Sequence, residues 1–389
     1  MSLCLNMIVK NESHIIQKTL KNICDNFPID YWVISDTGST DNTIEIIENF
    51  FQLQGIDGFI HSEPWKDFSY NRNAALNACI GKSDYVLIFD ADDKVVGEIK
   101  LPELVADAYF LKFTSESLSI QYLRKLIIKN NGNYRWRGVL HEFLENDNEG
   151  RVDEVTGDYA IISGRTGSRN RKDNKYLDDA VILEKAYNAG EELDLLPRYA
   201  FYCAQSYKDA GKIDQAIDWY KRRCELANGW YDEIYCSYDQ LGLLYETRDD
   251  FKEAIYYWQE GVKFDPKRAE CWYNLTRRHS WDNQIDLAYC YAKQASEIAI
   301  PEGNRLFINK PIYLYWLYYE LCLNAYKIGK IEESYNAFKK MTYHCPQDLV
   351  NRLAYQVPAY KELISEDKFI EVKALSLNLT RLNRLDLLN

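Results

Sequence analysis

A chain of 389 residues, 47% hydrophobic and 27% charged, is long enough for two domains and apolar enough to core both. Its net charge of −12 argues against a nucleic-acid or anionic-membrane surface, which needs clustered cations. The 10 Cys show no C-x-x-C spacing, which argues against a zinc site or a disulfide framework. Cys24, Cys79, Cys203, Cys290 and Cys322 fall in helical or strand patterns and are expected as reduced, buried thiols in a cytoplasmic type of compartment. No basic segment precedes an apolar one at Met1–Asn6, so no signal peptide is expected, and no apolar stretch is long enough to span a bilayer.

In chain order, Leu3 to Val9 reads as a strand and Asn11-Glu12-Ser13 as a turn. Ile15 to Cys24 carries apolar residues at helical spacing. Tyr31 to Ser35 is a second strand, ending in Asp36-Thr37-Gly38-Ser39-Thr40-Asp41. There Gly38 permits a tight turn, and Ser39, Thr40 or Asp41 can cap a helix over Thr43 to Phe51. Phe59 to His61 is a short strand and Tyr70 to Cys79 a helix. Tyr85 to Phe89 is an unbroken apolar run, expected to be buried on both faces, that ends in Asp90-Ala91-Asp92-Asp93. This alternation predicts an α/β sheet that binds ligands at the carboxyl ends of its strands. Asp36 and the pair Asp90 and Asp92 then share the ligand-binding edge. Repulsion within the pair calls for an opposite charge: a divalent cation, or the guanidinium of Arg72 from the preceding helix.

Four segments in order carry a family resemblance. Residues 3–13, Ser35 to Asp41, Asp67 to Asn73 (Asp-Phe-Ser-Tyr-Asn-Arg-Asn) and Phe89 to Asp93 resemble the successive motifs of family 2 glycosyltransferases with a GT-A fold. Val139-Leu140-His141-Glu142 resembles a later segment of the same group. The resemblance implies a UDP-sugar donor and an Mn2+ or Mg2+ ion held by the D-x-D motif, Asp90 and Asp92; His141 is a candidate third metal ligand or a contact to the pyrophosphate. The resemblance implies that Asp36 contacts the nucleotide; Met7, Val9, Asn11, Glu12, Asp90 and Ala91 are further candidate donor contacts, Arg72 a candidate for phosphate or for the Asp cluster, and Trp136 a candidate to stack on the sugar. It also implies hexosyl transfer with inversion, and Glu142 is the leading candidate for the base, with Asp93 and Glu116 as competitors. The usual D-D-G-S here reads Asp36-Thr37-Gly38-Ser39, one carboxylate short.

Past Asp93 the pattern weakens. Ala108 to Phe113 and Leu123 to Lys129 read as strands, and Arg165 to Lys175 as a polar linker. Beyond it helical spacing takes over. Tyr238, Leu241, Gly242, Tyr245, Ala254, Trp258, Gly261 and Pro266 fall on the tetratricopeptide template, with weaker copies from Tyr207, Trp272 and Tyr318. The expectation is a GT-A (Rossmann-like) α/β domain over 1–168 and a tetratricopeptide-like helical domain over 169–389. Such repeats grip polypeptides or form homodimers, so the acceptor is expected to be a protein, peptide or glycan. The rival reading is a non-catalytic scaffold whose degenerate transferase domain recruits a partner through its repeats.

Overall fold

The computed structural model describes residues 1–114, 121–164, 167, 174–303, 305–361 and 369–388. Glu116 and most of the 165–175 linker lie outside the described residues. The chain divides into two compact units, Met1–Trp230 and Tyr231–Asn389.

The first unit is built on a mixed sheet. Parallel strands β1 (Leu3–Val9), β2 (Tyr31–Asp36), β3 (Gly58–Ser62) and β4 (Tyr85–Ile88) lie in the order β3-β2-β1-β4. The sheet continues from β4 through β7 (Gln121–Lys129), β6 (Ala108–Thr114) and β11 (Thr156–Ile162) to β5 (Lys94–Lys100), with β10 (Val152–Glu154) beside β6. β7 runs antiparallel to both β4 and β6. A separate hairpin joins β8 (Arg135–Arg137) to β9 (Phe143–Glu145).

The central strands are apolar because both faces are covered. Leu5, Val33, Val86 and Leu87 are fully buried with Ile16, Leu20 and Ile23 of α1 (Ile16–Asn26). The helices α2 (Thr43–Gln54) and α3 (Phe68–Ala78) follow β2 and β3. Asn6, buried in β1, satisfies its amide on the carbonyls of Val33 (3.3 Å) and Ala75 (3.0 Å), tying α3 to the sheet.

All of the strands and helices expected before Asp93 are present, with ends shifted by at most three residues. The second half of the sheet is less regular than the sequence suggested. β8, β9 and β10 went unread because each is three residues long, and β5 and β11 because a glycine and polar residues break their apolar pattern. Among the cysteines, Cys290 is exposed rather than buried.

Helices α4 (Lys175–Ala189), α5 (Leu196–Asp209) and α6 (Ile213–Glu225) belong to the first unit, with the sheet. The second unit packs α7 (Tyr231–Glu246) on α8 (Phe251–Phe264), α9 (Glu270–Trp281) on α10 (Ile285–Ala295), and α11 (Leu317–Lys327) on α12 (Ile331–Thr342). The template residues explain the pairing. A Cβ on Gly242 would stand 2.2 Å from Nε1 of Trp258, so only glycine lets α8 lay that indole against α7. Among the described residues, α13 (Gln347–Leu353), α14 (Val357–Lys361) and α15 (Phe369–Arg381) follow. Among the described residues no helix is long and apolar enough to cross a membrane.

Candidate active site

Two loops interlock at the carboxyl ends of β1 and β2. Asp36 turns back on its own loop, accepting the amides of Gly38 (3.0 Å) and Ser39 (3.0 Å). Asn11, held at φ 58, accepts the amide of Thr40 at 2.7 Å and gives its own amide to Ser39 Oγ at 2.9 Å. Glu12 and Ser13 give their amides to Thr43 Oγ1 and Asp41 Oδ2. Burial raises the Asp41 carboxyl, but its hydrogen bonds from Thr43, at the start of α2, and from Ser13 together outweigh this and bring it down to about 2. Met7 and Val9 have their side chains in the core, so what they offer a ligand is main chain.

At the end of β4 the acidic run meets three short segments. Arg72, in the second turn of α3, donates from Nη2 to Asp90 and from Nε to Glu142, each at 2.6 Å. Its two neighbours set its place. Asn71 accepts the Lys66 amide and donates to the carbonyls of Glu63 and Pro64, which fixes the entry to the helix. Asn73 clamps β8 through both main-chain groups of Trp136, at 2.7 and 2.9 Å. The Trp136 indole then lies 4.9 Å from the guanidinium of Arg72, almost wholly buried.

Arg124, which the sequence reading missed, closes the other side. The β4–β7 register pairs Tyr85 with Lys129 and Leu87 with Ile127; continued past Ile88, it sets Arg124 across from Asp90. Arg124 Nη1 lies 3.3 Å from Asp90 and 3.7 Å from Asp93. A cation inside the apolar run of β7 was the available signal.

The electrostatics follow. Burial pushes the Asp90 carboxyl up, but Arg72 and Arg124 outweigh it and hold the group well below the ordinary carboxylate range. Burial works against charge on Arg72 too, and Asp90 and Glu142 together hold it firmly protonated. Asp93 goes the other way. Burial and then the charge of Asp90 raise it to about 7, with Arg124 and the Gly164 amide in partial opposition. Its Oδ2 has no hydrogen-bond partner. Asp92 Oδ2 accepts the amide of Gly167 at 3.1 Å, and a Cβ on Gly164 would fall 1.8 Å from the Asp92 carbonyl. Ala91 is buried, and its carbonyl accepts from Thr19 Oγ1.

Glu142 thus joins the D-x-D strand end through Arg72. His141 faces elsewhere: its ring stacks on Tyr202 with centroids 3.9 Å apart. Hard divalent cations take oxygen ligands, and the Asp92 carboxylate is of that kind. Among the described residues no group of three or more His, Cys, Asp or Glu is placed to hold a metal unaided. The described residues therefore fit a cation only as a site of few protein ligands.

Comparison with known proteins bears on this unit directly. Residues 4–174 match the family model described as Glycosyl transferase family 2. Among solved structures, S. aureus TarS in complex with UDP-GlcNAc is 15% identical, covering 68% of this chain and 91% of that one, at a TM-score of 0.37. BtubC from P. vanneervenii is 14% identical, covering 56% and 91%, at a TM-score of 0.38. MamA is 18% identical, covering 45% and 93%, at a TM-score of 0.34. Scores at this level say nothing about chemistry.

Proposed function

Residues 4–174 form a family 2 glycosyl transferase domain of GT-A type, followed by a tetratricopeptide-like helical region, and from that premise we propose an inverting transfer of a hexosyl group from a UDP-sugar to a protein, peptide or glycan acceptor. The observation that carries the reading is the guanidinium of Arg72, bonded at 2.6 Å to both Asp90 of the D-x-D motif and Glu142. It supports one reaction centre assembled from the end of β4, the start of α3 and the β8–β9 connection.

In this reading Asp36 and the interlocked loops face the nucleoside. Asp92 would hold a divalent cation, and the chemistry such an ion would supply there is positive charge against the leaving diphosphate. Arg72 and Arg124 place fixed positive charge beside the diphosphate oxygens, pre-oriented by Asp90. The acceptor oxygen attacks the anomeric carbon opposite the leaving diphosphate, its proton passes to Glu142, and UDP departs. Arg72 engages Oε1 of Glu142, and a carboxylate has a second oxygen with which to take the proton. The helical repeats grip the acceptor or a second copy of the chain.

The test is turnover of UDP-sugars with Mn2+, with chelator, and in Asp92→Ala. Loss of about 100-fold or more in the variant is expected for removal of one charge-stabilising group. Unchanged turnover in Asp92→Ala sinks the metal assignment. Absence of both turnover and calorimetric UDP binding in the wild type favours the scaffold reading.

A further inference from the structure

The five residues from Gly138 to Glu142 deliver Glu142 to Arg72, and they do so in an unfavourable backbone. Gly138 has φ 95 and His141, which is not a glycine, has φ 54. A left-handed non-glycine residue is strained and persists only where its surroundings over-determine it.

Three side chains from the first turns of α5 hold this segment. Arg198 donates from Nε and Nη2 to the His141 carbonyl, at 3.0 and 2.8 Å. Tyr199 accepts the Val139 amide on its hydroxyl at 3.3 Å and gives its own proton to Glu192. Tyr202 stacks flat on the His141 ring. Immediately upstream, Arg137 of β8 pairs with Asp194 at 2.8 Å and Glu192 at 3.4 Å. The left-handed carbonyl, a loop amide and the ring beside Glu142 are each held by a different side chain of one helix.

Resting on the assignment of Glu142 as base, the geometry points to Arg198, Tyr199 and Tyr202 of α5 as positioning residues of the transferase centre. α5 is then a working part of the catalytic unit, although it lies beyond the stretch that matches the family and has the spacing of a repeat helix. It acts by holding the 138–142 backbone in the one conformation that sets the Glu142 carboxylate on Arg72.

The experiment uses the full chain with Tyr199→Phe, Arg198→Ala and Arg198→Lys. Tyr199→Phe keeps the buried ring and removes only the hydroxyl, so its folding is not at risk. Amide hydrogen exchange over 138–144, which needs no substrate, should rise in Tyr199→Phe and in Arg198→Ala and return toward wild type in Arg198→Lys. Turnover should fall by about tenfold or more in kcat with the donor KM moved by less than about twofold, since a misplaced base costs rate rather than donor binding. Should Arg198→Ala fail to fold, Tyr199→Phe decides. Unchanged exchange across the segment in Tyr199→Phe, or an active chain whose kcat ignores the substitution, overturns the inference. A wild-type chain with no turnover defeats the functional reading instead, and the exchange measurement alone then decides whether α5 holds the segment.

Discussion

Arg72 in the first unit and Arg268 in the second are each buried between two carboxylates, and their surroundings differ in kind. Arg268 pairs with Glu270 at 3.2 Å and Asp232 at 3.9 Å, and spends its remaining donors on main-chain carbonyls, Leu306 at 2.9 Å and Phe307 at 3.5 Å. The same acids accept main-chain amides from that connecting segment, Asp232 from Leu306 and Glu270 from Asn309. That network is closed by backbone and cannot open without undoing the connector. Arg72 is held by side chains alone, from two different loops, under the face of an indole. Its partners can change as a ligand arrives. A buried ion cluster is therefore no sign of a reaction centre by itself; what closes its hydrogen bonds is the better guide.

The sharpest break of this contrast is Arg72→Ala. Turnover should fall by about a thousandfold or more, because one substitution strands Asp90 and Glu142 and removes the charge between them. A variant that keeps a tenth of the rate would place the chemistry elsewhere. Arg268→Ala should do the reverse: a loss of about 3–5 kcal/mol in denaturant unfolding of the repeat unit, with turnover per folded molecule intact. Gly242→Ala should cost about 1–3 kcal/mol, by driving a methyl into the Trp258 ring. A stability equal to wild type would show that the two helices can separate freely.

The smallest effect is one of pH and belongs to the second unit. Burial, then the charge of Glu270, raises the Asp239 carboxyl to about 6, against Arg268, Asn274 and Arg277. Burial raises Glu320 to about 7, against the hydrogen bond from Asn324. Both groups bind their proton more tightly folded than unfolded. Their contribution to stability is fully present below about pH 4 and lost as pH rises through about 6 and 7. The melting temperature of the repeat unit should fall between pH 5 and pH 8, and Asp239→Asn with Glu320→Gln should flatten that slope. An unaltered slope in the double variant would assign the pH dependence to other groups.

How far the molecule could be read from its residues depended on how local each cause was. β1 to β4 and the helices between them were legible because long apolar runs and helical spacing are local signals. The placement of Asp36, Arg72 and Asp90 was legible in the same way, since each lies near the end or beginning of such an element. β8, β9 and β10 were not legible, since strands of three residues are defined by partners far along the chain. Arg124 was missed for the related reason that its meaning lies in a register with β4. Asn73 stood in plain view inside Asn71-Arg72-Asn73, but its clamp on Trp136 spans 63 positions. The residues of α5 were hidden by their own regularity, as Tyr199 and Tyr202 have the spacing of ordinary repeat core.

One consequence follows from the loop that starts at Asp36. Its carboxylate is spent on the amides of Gly38 and Ser39, and Asn11 and Asp41 knot it to the neighbouring turn. The mouth of the sheet is therefore set at the moment of folding. A ligand that settles there has little disorder to remove, so its affinity should vary weakly with temperature-driven loosening of the loop and mainly with the contacts it makes. The same economy leaves little slack for change: a residue that disturbs Asp36 reshapes two loops at once, and the site loses its form before it loses its charge.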